Sequence, residues 1–321
     1  MTDKTQSLHP ILRGMLDDAR AANRPQLCEG TPAQSRALLA ASCAALGTGP
    51  EIGAVSDVKI PTRSSDVTAR LFGPKSVPCG LIVYVHGGGW VLGTLTDFDA
   101  LSRTLVDRSG CALLLVDYRL SPEFPFPSGL EDVEDCILWA SKHIEALAGN
   151  NVALVVGGDS AGANLATVAA AALRQRVPIA LQLLFYPVTD CDFNTASYVA
   201  FADGLFVTRA DMRWFFNHYT CEELWPDPRI SPLRAADLRG YRPAWIATAE
   251  FDVLRDEGEA YAGRLACAGV KVMLRRYAGM GHGFARMMNL VEAADQAVSD
   301  AAVVIAQFCQ DVPGHRKNLD A

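Results

Sequence analysis

Several things are scarce in this sequence, and each scarcity excludes a class of protein. No apolar run is long enough to span a bilayer; the longest are CALLLV at 111–116 and LATVAAAAL at 165–173. Positive charge is not in excess. Lys and Arg number 29 against 36 Asp and Glu, for a net charge of −7, a balance that repels phosphate backbones and argues against a nucleic-acid partner. The opening segment, MTDKTQSLHPILRGMLDDAR, lacks the basic start and apolar centre of a secretion signal. The nine cysteines include no CxxC pair, and no HExxH motif occurs. A disulfide scaffold and the common zinc sites are therefore not expected, and the thiols read as small buried apolar groups in a reducing compartment. There is no internal repeat, low-complexity tract or block of like charge. The expectation is a soluble, cytoplasmic protein with no membrane span.

What is present is enough hydrophobic material for one large core: 50% of 321 residues. Residues 1–50 have a helical pattern. One segment starts at Pro10, a second runs from Pro32 to Leu46, and Gly47, Gly49 and Pro50 end it. From about residue 54 the pattern alternates. Residues 67–72, 81–86, 111–118, 152–157, 179–186, 244–249 and 270–277 read as strands, most of them short dense apolar runs suited to burial on both faces. Helical stretches lie between them at about 97–109, 129–148, 161–176, 255–268 and 290–310. This alternation predicts an α/β fold with a mostly parallel sheet flanked by helices. One connection is too long. More than fifty residues separate Pro187 from Ala244, and they are rich in aromatics, among them Phe193, Tyr198, Phe206, Phe215, Phe216 and Trp225. Residues 190–225 are expected to form an aromatic-lined lid over one end of the sheet; the alternative is an extra packing helix.

Gly158-Asp159-Ser160-Ala161-Gly162 matches G-x-S-x-G, between a predicted strand and a predicted helix. Such a turn holds the serine in a strained conformation and exposes its hydroxyl at the carboxyl end of the sheet. Ser160 is the candidate nucleophile; the alternative is an ordinary helix N-cap. His86-Gly87-Gly88-Gly89-Trp90 follows another strand. Glycines there let backbone amides approach an oxyanion, so Gly88, Gly89 and Ala161 are the candidate donors, with His86 orienting the loop. Serine needs a base. Of six histidines, His282 in Gly-Met-Gly-His-Gly-Phe follows the last predicted strand. His218 is its rival; His143 lies on a helix, and His9 and His315 lie near the termini. The orienting acid should follow the preceding strand. Asp252 does, with Glu250 and Asp256 close enough to be confused with it. Asp256 is expected to cap the following helix, and Asp190 and Asp192 are weaker alternatives. The chain order Ser160, Asp252, His282 is that of the α/β-hydrolases.

These pieces, together with DYRLSPEFPFP at 117–127 and DVLRDEG at 252–258, make the chain resemble the hormone-sensitive-lipase-like esterases. The resemblance runs from about residue 54 to the C-terminus. It implies an eight-stranded sheet in a single hydrolase domain over 1–321, with a cap built from 1–50 and 190–225. It also implies hydrolysis of short-chain carboxylic esters without metal or cofactor, and the same assignment of nucleophile, acid, base and oxyanion donors. Family members often have APEH or APEN where this chain has Ser121-Pro122-Glu123-Phe124, which is expected to change packing near the site. The partner is then a small-molecule ester, and the last strand is an edge along which two copies could form a homodimer. The alternatives are the same triad serving a lipase, amidase or peptidase, or a non-catalytic ligand receptor on the same fold.

Overall fold

The computed structural model describes residues 7–311. Eight strands form one sheet: β1 (Ala54–Pro61), β2 (Asp66–Gly73), β3 (Gly80–Val85), β4 (Ala112–Asp117), β5 (Ala153–Asp159), β6 (Ile179–Phe185), β7 (Ala244–Phe251) and β8 (Val272–Gly281). Their spatial order is β1-β2-β4-β3-β5-β6-β7-β8. β1 and β2 pair antiparallel, as do β2 and β4, and every other neighbouring pair is parallel. The apolar runs predicted as strands sit centrally. Every residue of β3 and β5 is buried, because helices cover both faces of a parallel sheet. Each such aliphatic side chain contributes roughly 1.5–3 kcal/mol by leaving water.

β1 escapes the pattern reading because it has little pattern. It is an edge strand with one buried residue, Ile60, and a mostly exposed remainder of mixed polarity. Register with β2, from Ala54↔Gly73 to Pro61↔Asp66, defines it instead.

The helices are α1 (Pro10–Ala21), α2 (Pro32–Cys43), α3 (Asp99–Ser109), α4 (Ser128–Lys142), α5 (Ile144–Ala148), α6 (Ala161–Leu173), α7 (Ala196–Ala200), α8 (Arg209–Tyr219), α9 (Arg255–Cys267) and α10 (Glu292–Gln310). The helix expected over 129–148 is two helices, broken at His143, which is the C-cap of α4 and the N-cap of α5. α6 is buried along almost its whole length, and its run of Ala and Leu allows that. Local chemistry starts the peripheral helices. Thr31 and Gln34 form a reciprocal capping box on α2, Thr208 and Asp211 form one on α8, and Pro10 opens α1.

The long connection carries α7, α8 and two 3-10 turns between β6 and β7. It joins the N-terminal segment: the backbone amide of Cys28 donates to Asp211 (2.9 Å), and the Arg20 guanidinium donates to the carbonyl of Gly204 (3.0 Å). Most of its aromatics fall into two groups. Phe216 meets Trp90, Phe193 and Trp225 edge-on, and Tyr219 stacks on Trp90 with ring centroids 4.3 Å apart. These rings pack on one another. Phe206 and Phe215 face the cavity beneath.

Candidate active site

The turn after β5 is shaped by contacts that leave no room for side chains. A Cβ on Gly158 would lie 2.3 Å from the carbonyl oxygen of Val85, and one on Gly162 would lie 2.1 Å from the same atom. Both glycines are therefore required for α6 to start directly behind β3. Ser160 between them has φ 54° and ψ −121°, a conformation costly for any residue with a side chain. It is the N-cap of α6 by position, but its side chain makes no capping hydrogen bond. The Oγ points away from the helix and meets His282.

His282 follows β8, whose last residue is Gly281. Its Nε2 is 2.9 Å from Ser160 Oγ, and its Nδ1 is 2.8 Å from Asp252 Oδ2. Asp252 directly follows β7, and its Oδ1 accepts the amide of Leu254 at 3.0 Å. That contact holds the carboxylate in the loop while the other oxygen faces the imidazole. All three residues are buried. The ring of Tyr186 lies 4.9 Å from that of His282 and walls one side. The structure thus brings together Ser160, Asp252 and His282, which are distant in sequence.

The other candidates for base and acid lie elsewhere. His218 bonds the carbonyl of Trp214 on its own helix and packs on that indole. His143 bonds the carbonyl of Trp139, and His9 accepts the amide of Ile11 at the start of α1. His315 lies outside the described residues. Glu250 accepts the amide of Gly279 (2.8 Å), Asp190 pairs with Arg234 (2.5 Å), and Asp192 closes a turn onto Asn194. Asp256 does not cap α9, as the sequence suggested. It is the second residue of that helix, and its carboxylate accepts the amide of Ser197, joining α7 to α9.

The glycine loop after β3 faces the same point. Gly88 and Gly89 have φ of +117° and +60°, values that glycine adopts readily. A Cβ on Gly89 would strike the ring of Phe215 at 2.1 Å, so α8 rests directly on the loop. Neither the Gly88 nor the Gly89 amide meets an acceptor among the described residues. Ala161 is the first residue of α6, at the positive end of the helix. His86 bonds the carbonyl of Gly87 (2.8 Å) and stacks against Tyr118 and Phe98. Burial lowers its pKa to about 4, so it is a neutral positioning group.

Two positioning residues were missed in the sequence. Asp159, the variable residue of G-x-S-x-G, is buried and accepts the Gly87 amide (2.9 Å) and the Tyr84 hydroxyl (3.2 Å) through Oδ1. Burial raises its pKa to about 6, against the opposing effect of Arg286 and of those hydrogen bonds. Its place in the motif was visible, but its partner was not. Arg36 of α2 donates to the carbonyls of Val91 and Ser121 and forms a two-pronged pair with Glu123. The guanidinium hydrogen bonds hold the Glu123 carboxyl down at about 2. Arg36 thus ties α2 to the loop that follows the glycines through the Ser121 backbone carbonyl and Glu123, and not through the side chains of Ser121 and Phe124, where this chain departs from the APEH pattern. Nothing in the sequence pairs Arg36 with residues 55 to 87 positions away.

Above Ser160 and His282 lies a cavity of about 410 Å³, walled by Met15, Leu16, Leu39, Leu205, Phe206 and Phe215, among others. It is mostly apolar, with Gly88 and Gly89 at its floor beside the serine. A hydroxyl bonded to an imidazole, itself bonded to a carboxylate, beneath an apolar cavity and beside free backbone amides, is an arrangement able to transfer an acyl group.

Comparisons with known proteins agree with this chemistry. Residues 82–286 match the model of a family described as having the alpha/beta hydrolase fold. The chain is 39% identical over 302 residues to the carboxylic ester hydrolase LipN of Mycobacterium tuberculosis, an alignment covering 88% of this chain and 78% of that one. It is 35% identical to the ethyl acetate hydrolase of Pseudomonas putida, over 78% of this chain and 82% of that protein. Among solved structures, the hyperthermophilic esterase from Pyrobaculum calidifontis superposes with a TM-score of 0.89 at 35% identity, covering 94% of this chain and 99% of that one.

Proposed function

The chain belongs to the α/β-hydrolase family, in its hormone-sensitive-lipase-like branch, and from that premise we propose that it hydrolyses short-chain carboxylic esters through an acyl-enzyme formed on Ser160. The observation that carries the reading is the hydrogen-bonded line Asp252–His282–Ser160 ending at the floor of an apolar cavity. Ser160 attacks the ester carbonyl while His282 Nε2 takes the hydroxyl proton. Asp252 accepts from Nδ1, holds the tautomer that leaves Nε2 free, and stabilises the imidazolium. Negative charge on the former carbonyl oxygen is met by the amides of Gly88, Gly89 and Ala161, each such donor lowering the barrier by roughly 3 kcal/mol. The alcohol leaves with the proton from His282, and water cleaves the acyl-enzyme by the same steps in reverse.

The cavity supports the substrate class. At about 410 Å³ it is near the lower end of the range for ligand pockets, roughly 300–1,000 Å³. Among the described residues, 7–50 and 190–225 act as the cap of a single hydrolase domain, supported by their contacts over the cavity at Cys28–Asp211 and Arg20–Gly204. No helix among the described residues is long and apolar enough to cross a membrane. β8 ends the sheet, with Leu274, Arg275, Arg276 and Ala278 exposed, which supports a homodimer formed along that edge; sedimentation that shows only monomer overturns that part.

The experiment is a series of p-nitrophenyl esters of increasing acyl length, run with the wild type and with Ser160→Ala. Turnover that peaks at short acyl chains and vanishes in the variant is the expected result. Equal turnover by the variant refutes the assignment of Ser160. A maximum on emulsified long-chain triglyceride assigns the same residues to a lipase.

A further inference from the structure

Three cysteines meet at the end of the sheet opposite Ser160. Cys79 and Cys111 immediately precede β3 and β4, and Cys309 lies in the last turn of α10. Cys111 Sγ is 3.5 Å from Cys79 Sγ and 3.6 Å from Cys309 Sγ, and all three sulfurs lie within 4.8 Å of one another. Cys111 and Cys309 are buried and Cys79 is half-buried. The backbone has been left clear for it: a Cβ on Gly80 would lie 2.5 Å from the sulfur of Cys309 and 2.9 Å from that of Cys111. The hydrolytic chemistry uses none of these groups.

We propose that Cys79, Cys111 and Cys309 form a three-sulfur binding site for a single soft, thiophilic ion of the trivalent-arsenic class. A point equidistant from three sulfurs so arranged lies about 2.1–2.4 Å from each, close to the zinc–thiolate distance of about 2.3 Å. Thiolate sulfur selects soft ions over magnesium or calcium. Burial then discriminates among the soft ions. Three thiolates around a monovalent or divalent ion keep net negative charge in an apolar place, which is costly. A trivalent centre avoids that cost. As(OH)₃ reacts with three thiols, three As–O bonds are replaced by three As–S bonds, and three waters carry away the thiol protons. No electron is transferred and the adduct is neutral. Bound there, the ion joins the beginnings of β3 and β4 to the end of α10, far from the ester site.

The test uses the full-length reduced protein incubated with arsenite, freed of excess reagent by gel filtration, and assayed for arsenic per chain and for thermal stability. The wild type is expected to hold one arsenic per chain and to melt several degrees higher, because the ligand binds only the folded state. Cys111→Ser and Cys309→Ser, each checked for folding by circular dichroism, should retain less than about a tenth of that arsenic. Cys136→Ser, which removes a buried thiol outside the cluster, should retain all of it. The arsenite-loaded wild type should hydrolyse p-nitrophenyl acetate at the unloaded rate. Two results each overturn the proposal: a wild type that retains no arsenic, or arsenic content unchanged in both cluster variants. Because ester turnover is read separately, failure here is distinct from failure of the esterase assignment.

Discussion

The carboxylate of Asp159 accepts the backbone amide of Gly87 at 2.9 Å, although the two are 72 positions apart. This contact ties the turn that carries Ser160 to the loop that carries Gly88 and Gly89. The candidate nucleophile and its candidate oxyanion donors are thereby held by one buried side chain. Asp159 is raised to about 6 chiefly by burial, so the native state retains a proton that the unfolded chain has released between about pH 4 and pH 6. The unfolded state binds fewer protons in that window, so stability falls as pH rises through it, by on the order of 3 kcal/mol in total. Asp159→Asn keeps an acceptor oxygen but cannot ionise. Its melting temperature relative to wild type should therefore climb from pH 4 to about pH 6 and then level off. A difference that is flat across that range would show that Asp159 is not the titrating group.

The close approach of Gly162 to Val85 predicts a second outcome. Gly162→Ala places a methyl carbon 2.1 Å from a backbone carbonyl oxygen that cannot move without breaking the sheet. Overpacking of that kind costs about 1–3 kcal/mol, and more where the obstacle is backbone. Urea denaturation should show a lower midpoint, with a loss of soluble yield. Gly14→Ala, inside α1 with nothing within 4 Å, should raise the midpoint slightly, by about 0.5–1 kcal/mol of helix propensity, and serves as the control of opposite sign.

Asp252→Asn tests the orienting role. The amide presents an oxygen or an NH₂ to His282 Nδ1, and the amide of Leu254 competes for the oxygen. The imidazole is then driven toward the tautomer that cannot accept the serine proton, and kcat should fall by about 10³–10⁴. The KM for a short-chain ester should change little, because Asp252 does not line the cavity. Stopped assays on p-nitrophenyl acetate separate the two quantities.

Arg36→Ala removes the clamp between α2, the carbonyls of Val91 and Ser121, and Glu123. The ion pair itself is half-exposed, so its loss contributes at most about 1 kcal/mol to stability. Its larger effect should be on position, because the loop behind Gly88 and Gly89 loses an anchor. A misplacement of catalytic groups by about 1 Å costs up to 10² in rate. We expect kcat for p-nitrophenyl acetate to drop by about tenfold with a melting temperature within a few degrees of wild type. An unchanged kcat would assign Arg36 to cap attachment alone.

The sequence by itself determined the alternation of strands and helices, because fully buried strands need unbroken apolar runs and α6 needs small residues to fit against the sheet. It also marked Ser160 and the glycine loop, since a tight strand–helix turn and a close backbone approach each restrict composition to a recognisable few residues. Asp252 and His282 were legible from their places after the last two strands. Tertiary structure decided what depends on partners distant along the chain: the hydrogen bond from Asp159 to Gly87, the reach of Arg36, the service of Asp256 to α7 instead of α9, and the edge strand β1, which has almost no apolar pattern. It also decided which aromatics of the long connection face the cavity, because Phe215 and Phe216 are adjacent in sequence and only their packing separates them. The three sulfurs at the far end of the sheet belong with these. Cysteines at 79, 111 and 309 have no motif between them, and only strand pairing and the docking of α10 bring them within bonding distance of one ion.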